Sequence, residues 1–348
     1  MVAVEKVTKT RVAWVDVAKI LGMFAIFVGH LTAKSGDSLV KWVFMFSVPL
    51  FFFLAGCMET RNERGFFENL LHKIKTIIIP LYIFAVAMIL VSVLVNGNYN
   101  NVPAMGTQLY SGFIRNHSFG TLWFLSCLFV MEIVFSLIKR LKKWYLILGV
   151  CLGFFAIAWF VINPTPIKVP SWWWNVDSML FYIPFFALGY ILHPIIQKVF
   201  SHDKRNIKIV KNILGWGSVI YLISLFMGKN IGGSFWAINS FTMGLAQIVR
   251  PLICVFAILF ISKQLESVKF LSAVGKHTLI FCGGEYIARE IIFGIGAIFG
   301  VALPTKFDTP IQAYIFAGIE MIVVYFVLKP IFSYIISRIN VNKILSKW

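Results

Sequence analysis

The chain alternates long apolar runs with short polar breaks that are mostly basic. A helix needs about 20 apolar residues to cross the hydrocarbon core of a bilayer. Ten runs meet or approach that length: 12–33, 40–58, 77–95, 119–138, 144–162, 177–197, 210–228, 236–262, 277–300 and 311–337. This predicts an all-α fold, a polytopic membrane helix bundle of about ten transmembrane helices. The connections are short, so residues 1–348 read as a single transmembrane domain with no appended soluble domain. The first run follows three cations and could pass for a secretion signal, but further spans follow and no convincing cleavage site does, so it is expected to stay.

Composition supports the same picture. Of 348 residues, 59% are apolar and 13% charged. Soluble domains run at about 45–50% and about 25%. The formal charge of +18 would suit a nucleic-acid binder, but its placement does not. Twenty-two Lys and Arg fall at the termini and in alternate breaks, and six fall in the other breaks. That alternation is the positive-inside pattern. It puts both termini in the cytoplasm, sets the chain in the cell membrane among lipids, and leaves no role for nucleic acid. Cys57, Cys127, Cys151, Cys254 and Cys282 show neither metal-ligand nor disulfide spacing and read as small buried hydrophobes; no metal site is expected.

The ionisable groups inside the apolar runs are more informative: Asp16, Lys19, His30, Glu132, Arg250, Glu285, Arg289, Glu290, Glu320 and Lys329. A charge at the bilayer centre costs at least about 2.5–3.5 kcal/mol, so such groups pair or face a wet cavity. Glu285 and Arg289 are four apart and can pair on one helix face. Lys329 can snorkel toward the cytoplasm. Arg250 precedes Pro251, where a freed carbonyl and a cation can line a cavity.

The first span is the richest. Asp16 and Lys19 share a face near its cytoplasmic end, and His30 lies eleven residues beyond Lys19. Eleven residues are close to three turns and rise about 16 Å, so Lys19 and His30 occupy one stripe. A basic entrance and a distant imidazole on one face suit a long donor such as an acyl-CoA. Its phosphates would lie at one end and its thioester at the other. Farther along, Trp172-Trp173-Trp174 is either an interfacial aromatic belt or a stacking platform for a sugar, Trp173 included.

These features resemble the acyltransferase-3 family of integral membrane acyltransferases, whose signature is Arg or Lys, ten residues, then His. Lys19 and His30 match it. Phe46-Ser-Val-Pro49 through Gly56 is similar to the family's second helix, and Lys73-Ile-Lys75 before Pro80 to its basic helix entrance. Gly120-Thr-Leu-Trp123-Phe124-Leu125 resembles its Leu-Trp-Phe-Leu motif. Trp174-Asn-Val-Asp177 through Tyr190 is similar to the fucose 4-O-acetylase-like branch. The likeness runs in order from Arg11 to about Tyr286. It departs once: Gly275-Lys276-His277-Thr278-Leu279 leads to Glu285 where many relatives carry His.

The resemblance implies transfer of an acetyl or similar acyl group from cytoplasmic acyl-CoA to a hydroxyl of a cell-surface saccharide or its lipid-linked precursor. Acetyl-CoA is then a donor substrate, and no cofactor is held permanently. The catalytic candidates are His30, as general base or transient acyl carrier, and Glu285 in the place of the family histidine. Arg11, Asp16, Lys19, Lys73, Lys75, Arg250 and Arg289 are the candidates for the donor site. Trp123, Trp173 and Asp177 are those for the acceptor. The rival from another class is a transporter or flippase for a glycolipid or small solute, and a third is a non-catalytic partner in polysaccharide synthesis. A homo-oligomer is left open.

Overall fold

The computed structural model describes residues 11–32, 38–60, 62–96, 102–115, 120–162, 171–201, 205–227, 229 and 237–339. Lys6, Lys9, Arg61, Lys204, Lys343 and Lys347, counted above toward one face, and Lys34 and Lys168, counted toward the other, lie outside these residues. Among the described residues the fold is helical, with no strand and a single bridge between Thr32 and Phe307.

In chain order the helices are α1 (Ala13–Leu31), α2 (Ser38–Glu59), α3 (Phe66–Lys73), α4 (Ile79–Asn96), α5 (Val102–Ser111), α6 (Leu122–Ile138) and α7 (Trp144–Ala156). They continue with α8 (Val176–Ser201), α9 (Arg205–Phe226), α10 (Ser240–Gln264), α11 (Lys269–Gly275), α12 (Thr278–Ile298), α13 (Pro310–Val323) and α14 (Lys329–Arg338). Among the described residues, nine helical stretches are long and apolar enough to cross a membrane. The remaining predicted span, 277–300, is the 21-residue helix α12, set apart by Glu285, Arg289 and Glu290.

Proline explains where several spans depart from plain α-helix. A π turn over Ile74–Ile78 joins α3 to α4 just before Pro80, and another over Val324–Leu328 joins α13 to α14 just before Pro330. In each, the last N–H before the proline reaches five residues back, Ile79 to Ile74 and Lys329 to Val324. The ring would otherwise clash with the carbonyl four residues earlier, and the widened turn absorbs it. The predicted run 77–95 therefore belongs to a longer stretch, Phe66–Val95, whose first turns expose Phe67 and Leu71.

Helix α1 is the centre of the bundle. Of its spanning window 72% is buried, against 28% for Trp144–Ile162 and 22% for α9. It packs on α2, α10, α11, α12 and α13, while α8 packs on α2 and α7. Glycine sets the closest crossings. A Cβ on Gly56 would lie 2.0 Å from the Phe186 carbonyl oxygen, and one on Gly189 the same distance from that of Phe53. The backbones of α2 and α8 thus touch through paired glycines, as small residues permit in membranes. Gly275, at the end of α11, meets the Asp16 carbonyl equally closely, its Cβ falling 1.9 Å away. The five cysteines are free and buried.

Candidate active site

A cavity of about 890 Å³ runs beside α1. Its wall on that helix is Lys19, Met23, Ile26 and His30, spaced four, three and four residues apart, the stripe that the sequence predicts. Apolar side chains of α2 and α6, among them Val48, Phe51, Phe124 and Leu128, make its middle. The volume is that of an ordinary ligand site.

One end is basic. Lys19, Arg64, His72, Lys73 and Lys276 line it. Arg11 grips Asp16 with two hydrogen bonds of 2.6 and 3.0 Å, and Lys19 stands 3.7 Å from the same carboxylate. Lys73 pairs with Glu132 at 2.7 Å and lies 3.9 Å from Glu59, whose other oxygen receives a 2.5 Å hydrogen bond from Lys139. Asn62 also donates to Glu59. The carboxylates thus hold Lys73 in the wall instead of leaving it to swing, with the π turn directly after it.

The other end holds His30. Its Nδ1 is 2.7 Å from Oε1 of Glu285, a side chain only 3% exposed, while the His30 side chain is 30% exposed. The same Glu285 oxygen accepts a 2.9 Å hydrogen bond from Arg289. Arg289 in turn donates to both oxygens of Glu320 on α13, at 2.7 and 3.2 Å. The result is a continuous chain of His30, Glu285, Arg289 and Glu320 through three helices. A carboxylate accepting from Nδ1–H fixes the imidazole tautomer and leaves Nε2 as the basic nitrogen. The Phe44 ring lies 5.3 Å from the imidazole, and Arg115, Thr121 and Trp123 complete this end.

The predicted residues divide accordingly. Lys19, His30, Lys73 and Trp123 line the cavity, and Glu285 and Arg289 stand directly behind His30. Arg11 and Asp16 anchor the start of α1 beside Lys19. Lys75 lies on the π turn outside the cavity wall, and Arg250 donates to the Tyr221 hydroxyl on α9, away from the wall. Trp173 is 67% exposed. Asp177 is buried and receives hydrogen bonds from the Ser171 hydroxyl and the Trp172 amide. The sequence reading gave no site role to Glu59, Glu132, Glu320 or Arg115. Glu132 and Glu320 were visible as intramembrane acids, whereas Arg115 was indistinguishable from any loop cation.

Fold and cavity together define a class: a polytopic helical membrane protein with a charged interior site ending at a carboxylate-backed histidine. A sequence model of the family described as an acyltransferase domain, the acyltransferase-3 family, matches residues 12–281. The chain belongs to that family, and membrane acyltransferase activity follows in general terms. No curated protein and no solved structure matches the chain. Glu285, Arg289 and Glu320 all fall beyond the end of the match.

Proposed function

We propose that the protein moves an acetyl or similar short acyl group from cytoplasmic acyl-CoA to a hydroxyl of a saccharide, or of its lipid-linked precursor, at the far side of the bilayer. The observation that carries this reading is one cavity with cations at one end and a Glu285-backed His30 at the other. The 22-to-6 charge bias supports cytoplasmic entry at the basic end. Lys19, Arg64, Lys73 and Lys276 there attract the donor's phosphates, and the apolar middle takes its slender pantetheine arm.

At the His30 end, Nε2 takes the acceptor's hydroxyl proton as that oxygen attacks the thioester carbonyl. The tetrahedral intermediate collapses with cleavage of the C–S bond, and the departing thiolate takes the proton from the imidazolium. The ester and free CoA are the products. Glu285 holds the tautomer and steadies the transient imidazolium; Arg289 and Glu320 hold Glu285.

The test is purified protein in liposomes with radiolabelled acetyl-CoA and a panel of saccharide acceptors. Label is expected in the saccharide with wild type and lost with His30→Ala. Transfer that survives His30→Ala would reject the assignment, and translocation of a glycolipid without acylation would favour the transporter reading.

A further inference from the structure

We infer that the acceptor carries an anionic group and that Arg115, at the His30 end of the cavity, binds it. The inference rests on the acyl-transfer reading of this cavity and names the substrate class that the same site takes.

Arg115 is placed at this end by a chain of contacts. The Thr121 hydroxyl donates to the Cys282 carbonyl at 2.5 Å, and Cys282 is three residues before Glu285, the partner of His30. Arg115, Thr121, Trp123, Cys282 and His30 all line the cavity. The other lysine and arginine cations of the wall, Lys19, Arg64, Lys73 and Lys276, belong to the basic end. Both carboxylates of the described wall, Glu59 and Glu132, are there too, each in an ion pair with Lys73. Among the described residues, the His30 end therefore presents a guanidinium and no carboxylate in its wall. The nearby Asp177 is outside the wall; it takes hydrogen bonds from Ser171 and the Trp172 amide and also attracts the Arg115 guanidinium from behind.

The segment bearing Arg115 is held rigidly. Its backbone N–H donates to Oδ1 of Asn175 at 2.9 Å. Asn175 is fully buried, and its Nδ2 lies 2.8 Å from the Ser126 hydroxyl and 3.1 to 3.3 Å from the carbonyls of Gly112, Phe113 and Trp123. Phe113, Trp174 and Asn175 all adopt left-handed backbone, with φ of 56°, 56° and 55°. Such conformations persist where surrounding contacts over-determine them, and they gather at ligand clamps. This knot fixes the Arg115 backbone, and the guanidinium lies 6.0 Å from the centre of the Trp123 ring. An aromatic face beside a planar cation suits a sugar ring that bears a carboxylate or phosphate, because guanidinium matches such oxyanions with paired N–H groups. The donor does not supply that anion, since its phosphates belong about 16 Å away along α1, at Lys19.

The experiment uses the full chain in lipid nanodiscs and reads binding by titration calorimetry. The probes are tetragalacturonate, neutral maltotetraose, and a glycerol phosphate oligomer that separates phosphate from carboxylate recognition. Wild type is expected to bind at least one anionic probe about tenfold or more tighter than maltotetraose, the size of one hydrogen bond to a charged group. Arg115→Gln should erase that preference, Arg115→Lys should keep part of it, and all variants should still bind acetyl-CoA, which reports the fold. Equal binding of all the probes, an anion preference that survives Arg115→Gln, or a loss confined to acetyl-CoA would overturn the inference. Anion binding without acyl transfer would instead refute the reaction and leave this site standing.

Discussion

His30 and Glu285 are 255 positions apart in sequence and 2.7 Å apart in space. At the scale of these residues the account makes two predictions. His30→Ala should lower kcat/KM for transfer by about 10²- to 10⁴-fold, the usual weight of a positioned general base, measured with labelled acetyl-CoA. Glu285→Gln should lower kcat while leaving KM for the donor nearly unchanged, because an amide can turn its N–H toward Nδ1 and spoil the tautomer. Equal loss of donor affinity in Glu285→Gln would show that the carboxylate serves binding instead. The sequence left open what Glu285 does, and the structure places it against His30. Arg289 makes a separate stability prediction. It lies between two buried carboxylates, and Arg289→Met strands both. Removing one partner of a buried pair costs about 3–5 kcal/mol, so the Tm in detergent should drop well below that of wild type.

Helices account for why the stripe was legible in sequence and why other contacts were not. Lys19 and His30 could be put on one face of α1 because helical spacing is fixed by the backbone. No such rule relates α1 to α12, so the Glu285 contact was not legible. Lys73 was legible as a cation at a helix entrance, but its capture by Glu59 and Glu132 depends on how α2, α3 and α6 converge. Trp173 was proposed for the acceptor as part of an aromatic platform and Asp177 from motif likeness; the structure places Asp177 in the buried first turn of α8 and Trp173 on the surface. Glycine gives this scale its own test. Gly56→Leu should abolish properly folded protein, since its first carbon already collides with the Phe186 carbonyl. Gly65→Ala, with open space around its Cβ position, should behave as wild type in size-exclusion yield.

At the scale of the molecule, hydropathy revealed most of the helical architecture, because a bilayer allows few ways to satisfy a backbone. The short helices α3, α5 and α11 escaped the hydropathy pattern, as they are too brief to span. Those pieces matter to the site: α3 brings Lys73 to the wall, and α11 lays Gly275 on the start of α1. The central claim is that the cavity hands an acyl group from one face of the membrane to the other. Sealed proteoliposomes test it, with membrane-impermeant labelled acetyl-CoA outside and saccharide acceptor trapped inside. Label on the trapped acceptor, absent with His30→Ala, is the predicted result. Label that appears only on acceptor mixed with the donor outside would contradict it.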